Sequence, residues 1–135
     1  MMRILKSRLR KDERGATQIE FVLTLFLVML TLFFVWELCM VIYAYTVIAG
    51  AANEGLRYAV VHSGDTAGAQ ARVVSYAKMS GQNITTSDVS VTYPDGSSAP
   101  PNRVAVTVTH DYLPFIRLFA PVPHLRAYAQ GRMVY

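Results

Sequence analysis

Glu20 is an ionisable side chain in a place that demands a chemical reason. It follows Gly15-Ala16-Thr17-Gln18-Ile19 and precedes Phe21–Trp36, sixteen residues without a charge. A carboxylate at membrane depth costs roughly 2.5–3.5 kcal/mol on insertion scales, so one that is kept there marks a function or a partner. Gly15 ends a short charged segment just before it. The pair suggests processing of the chain between Gly15 and Ala16 and a part for Glu20, with its neighbour Phe21, in assembly. Glu37 is a second carboxylate at membrane level, about 25 Å further along a helix axis. It suits either the outer interface or a contact with a partner helix.

The remaining reactive residue types do not gather into a catalytic pattern. His62, His110 and His124 are far apart and lack the spacing of a metal or catalytic pair. Cys39 is the only cysteine, so no intramolecular disulfide and no cysteine-based metal site is expected. It lacks the small residue that usually precedes a lipidated cysteine and reads as an inert apolar thiol. Ser63-Gly64-Asp65 and Asp95-Gly96-Ser97 are turns, and there is no G-x-S-x-G or phosphate loop. The sequence points to no enzyme, cofactor, metal or small-molecule substrate.

Composition narrows the class. The chain has 135 residues, 53% of them hydrophobic and only 16% charged, which favours a membrane segment over a second domain. The net charge of +4 sits at the start: residues 1–14 carry six basic groups against two acidic ones, and the rest carries seven of each. That argues against a basic nucleic-acid face on the folded part. It places the N-terminus in the cytoplasm by the positive-inside rule.

These residues need a helix to position them. Phe21 to Ala52 is interrupted by Glu37 alone and would make about 48 Å of helix, against a hydrocarbon core of about 30 Å. Residues 1–15 then form a basic leader, 16–62 a long helix whose first half is transmembrane, and 63–135 a domain outside the cytoplasm. A cleaved secretory signal fits less well, because its apolar region spans about 7–15 residues and ends at a small-residue site. An uncleaved anchor stays open. In the second half of the helix, Leu38, Val41, Ile42, Tyr45, Ile48, Ala52, Leu56 and Ala59 recur at helical spacing and predict the buried stripe. Thr46, Gly50, Asn53 and Arg57 fall opposite, and Glu54 and Arg57 are placed to pair. Asp65 or Thr66 caps a second helix over 66–80 that Gly81 ends. Asp88–Tyr93 and Arg103–Tyr112 alternate as the strands of a hairpin across the turn-rich 94–101 loop. Leu113–His124 connects, with a helical turn expected near Phe115–Phe119, and Leu125–Tyr135 is a last strand. The expected fold is α+β: a long membrane-spanning N-terminal helix packed on a small antiparallel sheet, with one extra helix.

Gly15-Ala16-Thr17-Gln18-Ile19-Glu20-Phe21, together with Ala51-Ala52-Asn53-Glu54-Gly55-Leu56-Arg57-Tyr58-Ala59, resembles the TadE-like family, pilin-like minor pseudopilins of the tight-adherence (Flp, type IVb) pilus system. Val104–Val108 and Leu125–Ala129 extend the resemblance. Ala52, Glu54, Gly55 and Arg57 carry its most specific part. The resemblance implies a prepilin peptidase cutting between Gly15 and Ala16, so that Glu20 becomes the fifth residue of the mature chain. It implies other pilins or pseudopilins and an inner-membrane assembly platform as partners, with membrane lipid around the helix. The protein would sit in the bacterial inner membrane with its C-terminal domain periplasmic or extracellular, and enter the filament. The alternative is an uncleaved single-pass adaptor of the same machinery.

Overall fold

The computed structural model describes residues 2–115 and 122–134, with side chains from Gly15 onward. Helix α1 spans Met2–Val61, α2 Thr66–Met79, and three strands follow: β1 Val89–Thr92, β2 Arg103–Asp111 and β3 His124–Arg132. The chain divides into two compact units, one ending at Leu38 and one beginning at Cys39.

The first unit is helix alone. Its backbone is helical from Met2 and passes Gly15 without a break. Residues 2–14 are rich in Arg, Lys and Leu, all good helix formers, and one glycine costs only about 1 kcal/mol relative to alanine. From Gly15 onward α1 is long and apolar enough to cross a membrane, and none of its most apolar stretch is buried in the structure. The hydroxyls of Thr24 and Thr31 donate to the carbonyls of Glu20 and Leu27, each at 2.9 Å. Both polar groups are thereby satisfied within the helix, as lipid requires.

The second unit is the α+β domain. Its sheet is an antiparallel meander in the order β1-β2-β3. Val106 and Val108 face Ile48, Ala51, Ala52, Val73, Ala77 and Ala129 in one core. Ile48 is the largest fully buried side chain, and such a side chain contributes about 1.5–3 kcal/mol by leaving water.

The buried stripe of α1 differs from the expected one. It runs through Ala44, Val47, Ile48, Ala51, Ala52, Gly55 and Ala59, while Ile42 and Tyr45 are 58% and 49% exposed. Alanines and a glycine on that face let the sheet and α2 approach closely, so the larger side chains turn outward. Gly50 does not lie on an open side either: a Cβ there would fall 2.9 Å from the Tyr76 hydroxyl of α2. Glu54 and Arg57 form no ion pair with each other.

Strand β2 also departs from simple alternation, because Val104 through Val108 are all buried. It is the central strand, and its outward residues Ala105 and Thr107 are small and lie opposite Gln130 and Tyr128. The last strand begins at His124 rather than Leu125. The helical turn expected near Phe115–Phe119 falls mostly on residues 116–121, outside the described ones.

Candidate functional site

The residues singled out in the sequence occupy two places. Gly15, Ala16, Glu20, Phe21 and Glu37 lie on the single helix of the first unit. Ala52, Glu54, Gly55 and Arg57 lie in the packed part of α1, in the second unit.

On the first unit, a Cβ built at Gly15 meets nothing within 4 Å. Ala16 and Glu20 are exposed, Phe21 is 67% exposed, and Glu37 is half-buried. Glu20 makes no ion pair with any described residue. Its carboxylate is thus presented on an apolar helix surface formed by Ile19, Phe21, Val22 and Leu23. A surface of that composition needs lipid or other helices around it, and its charge needs a partner or water.

In the second unit the family-type block is a packing joint. A Cβ on Gly55 would strike Cγ2 of Val73 and lie 3.3 Å from the carbonyl oxygen of Ala69. Ala52 is fully buried in the main core. Gly55 is therefore the residue that lets α2 close onto α1. Glu54 is half-buried and Arg57 exposed, so these two are free of that joint and face outward from it.

A corner that sequence reading missed locks the turn between α1 and α2. The Tyr58 hydroxyl donates to Oδ2 of Asp65 at 2.8 Å, and the other carboxylate oxygen accepts the Gly68 N–H at 2.9 Å. His62 stacks on Tyr58 at 4.2 Å between ring centroids, and the Arg72 guanidinium lies 5.6 Å from the centre of the Tyr58 ring. A Cβ on Gly68 would strike both the Asp65 carboxylate and the Tyr58 ring. The readable signal was Gly68 three residues after the cap Asp65; nothing in the spacing announced Tyr58 as its partner.

Three aspartates of this unit are held in the ionised form. The Gly68 N–H and then the Tyr58 hydroxyl lower the Asp65 pKa. The backbone N–H and the hydroxyl of Thr85 do the same for Asp88. The Arg103 side chain, and next its N–H, bring Asp95 down to about 2, with the guanidinium 2.7 Å from Oδ1. A carboxyl whose folded pKa lies below its unfolded value of about 3.9 stabilises the fold above that pH, and the effect is lost as pH falls toward the folded value. The unfolding midpoint of the domain, followed by circular dichroism in detergent, should therefore hold from pH 7 to 5 and fall between pH 4 and 2. Asp95→Asn should flatten part of that fall. An unchanged slope in the variant would show that the Asp95–Arg103 pair contributes nothing.

The histidines stay apart from one another in role: His62 stacks on Tyr58, and Nδ1 of His124 lies 2.6 Å from Asp111. Among the described residues no group of three or more His, Cys, Asp or Glu is placed to hold a metal ion.

Against known proteins, the family model for TadE-like protein matches residues 15–57. The matched segment begins at the glycine before Glu20 and ends at Arg57, so it contains both places described above. No curated protein and no solved structure matches the chain. The match makes this segment similar to TadE-like proteins, and it contains the stretch of α1 that is long and apolar enough to cross a membrane.

Proposed function

We propose that this chain, TadE-like over residues 15–57, is a minor pseudopilin. A prepilin peptidase trims it between Gly15 and Ala16. It is held in the cytoplasmic membrane with its N-terminus inside, and it acts with other pilins in assembling a tight-adherence pilus or related secretion filament. It carries out no catalysis. Extraction from the membrane is driven by the assembly platform.

The observation that carries this reading is Glu20, a carboxylate exposed on an apolar helix and without an ion pair among the described residues. Trimming creates an α-ammonium at Ala16. Positions 16 and 20 are one helical turn apart, so the two charges meet on one face of the same helix, or pair between neighbouring subunits. Either pairing offsets part of the cost of burying both and fixes the axial register between helices.

Gly15→Phe tests the cut. Nothing lies within 4 Å of a Cβ at that position, so a side chain can start there without a clash, and a variant that still inserts but is not trimmed has lost recognition by the peptidase. The expected intact mass of the variant is that of the full chain, while the natural chain lacks residues 1–15. A variant trimmed like the natural chain refutes the proposed cut.

One observation favours a second reading, the uncleaved single-pass adaptor of the same machinery. The backbone is helical on both sides of Gly15, whereas a peptide bond must leave the helix to enter a protease. The glycine lowers that opening cost by about 1 kcal/mol relative to alanine, and the mass of the natural chain decides between the two.

A further inference from the structure

We propose that the outer edge of β3, over residues 126–132, accepts an added antiparallel strand from a different protein, one with a carboxylate at each end of the paired stretch. This goes beyond the pseudopilin reading and does not depend on trimming, since every group it uses lies in the second unit.

The register of the sheet identifies the open edge. In an antiparallel pair, facing residues alternate between exchanging both backbone hydrogen bonds and exchanging none. The Met133 N–H donates to the Asn102 carbonyl at 2.9 Å, and the Tyr112 N–H donates to the Pro123 carbonyl at 3.2 Å. With Arg103 opposite Arg132 and Asp111 opposite His124, these two bonds bracket the ladder and set its phase. Positions 125, 127, 129 and 131 of β3 are then bonded to β2. Arg126, Tyr128, Gln130 and Arg132 point their N–H and C=O groups away from it. Among the described residues, none of those groups makes a backbone bond beyond the sheet. The next outward N–H, at Val134, is taken by the Val60 carbonyl, which closes the open stretch. The opposite edge differs. Strand β1 has only four residues, and the Val89 carbonyl already accepts a hydrogen bond from the Gln70 side chain at 3.0 Å.

Side chains say what kind of strand fits. Arg126, Tyr128, Gln130 and Arg132 are all exposed, and as alternate residues they share the sheet face turned away from the core. The Tyr128 hydroxyl donates to Oε1 of Gln130 at 2.8 Å. Asp95 is held by Arg103 and Asp111 by His124, so Arg126 and Arg132 have no ion-pair partner among the described residues. Natural edges are blunted by proline, a bulge or charge. Residues 126–132 contain no proline, and pairing with β2 is unbroken along the nine residues of β3. Charge is left to guard this edge, and it guards against a second copy. Symmetric pairing of two β3 edges over the open stretch sets Arg126 against Arg132 twice, and like charges directly opposite are destabilising. A strand with carboxylates at those two places meets both guanidiniums instead. In strand addition the main-chain bonds give affinity and the alternate side chains give specificity.

The test uses the full chain in detergent micelles and fluorescein-labelled peptides read by anisotropy. The first peptide is Glu-Val-Thr-Val-Tyr-Val-Glu with an amidated C-terminus, whose glutamates fall opposite Arg132 and Arg126 in the antiparallel sense. The second has lysine in place of both glutamates. The third is the first with N-methyl groups on its Thr and Tyr nitrogens, which removes the donors aimed at Gln130 and Tyr128 and keeps the charge. The expected result is saturable binding of the acidic peptide, about tenfold weaker binding of the lysine peptide, and loss of binding on N-methylation. Arg126→Glu combined with Arg132→Glu changes only exposed side chains and should reverse the order of the first two peptides. No binding of the acidic peptide at millimolar concentration overturns the proposal. Equal binding of the N-methylated peptide overturns it too, leaving attraction to the arginines without strand pairing. An unreversed preference in the double variant removes the site from β3. Gln130→Pro deletes an outward N–H and no bond of the sheet. Self-association of the natural chain that this variant abolishes overturns the proposal in favour of a second copy.

Discussion

Gly55→Ala lowers the unfolding midpoint of the folded unit, and Gly55→Leu abolishes its cooperative unfolding. The sign is the informative part. In an open helix interior, alanine in place of glycine stabilises by about 1 kcal/mol. Here the added Cβ would strike Cγ2 of Val73. Val73 is fully buried and, being β-branched, has one strongly preferred rotamer in a helix. It cannot swing aside, so α2 must move. Overpacking of this kind costs about 1–3 kcal/mol for a single methyl-sized insertion, which outweighs the helix-propensity gain. Leucine adds three more carbons at the same point. Val73→Ala should rescue Gly55→Ala, so that the double variant unfolds closer to Val73→Ala alone than the two single effects sum to. Thermal unfolding of the full chain in detergent reads all three. A rise in the midpoint for Gly55→Ala would mean that the two helices do not close at this joint.

Glu20→Ala leaves insertion intact and removes the chain from the filament. Losing a carboxylate makes insertion easier by roughly 2.5–3.5 kcal/mol, so amounts in the membrane should not fall. On the proposed reading, what is lost is the partner of the new α-ammonium. Leaving one member of a desolvated ion pair alone costs about 3–5 kcal/mol, which is on the order of a hundredfold or more in an assembly equilibrium. Glu20→Gln keeps the shape without the charge and should fail in the same way, which separates charge from packing. The measurement is the ratio of chain in sheared filaments to chain in membranes. Normal incorporation of Glu20→Ala would sink the register argument.

Much of this was legible before any coordinates, for reasons particular residues make plain. The α+β architecture could be read because each signal is local: an uncharged run from Phe21 to Trp36, a cap at Asp65 with Gly81 as the stop, and alternating valines at 89, 91, 104, 106 and 108. The turn chemistry is as expected, with Asp65 accepting the Gly68 N–H and Gly81 taking a positive φ of 77°. The side of α1 that is buried was not legible. Periodicity ranks side chains by size, and Ile42 and Tyr45 look more like core than Ala44 and Ala51. Close approach of α2 and the sheet reverses that order, and close approach depends on Gly55 and Ala69, which are far apart in sequence. The same holds for Tyr58 with Asp65. Glu20 stood out by itself, because a charge in an apolar run is visible without knowing the fold.

The most direct test is the intact mass of the protein taken from its native membrane, with and without the host's prepilin peptidase. The account predicts a chain that begins at Ala16 when the peptidase is present and a chain that retains residues 1–15 when it is absent. A full-length chain in both cases would contradict it, leaving an uncleaved membrane adaptor in which Glu20 serves some purpose other than pairing with a new N-terminus.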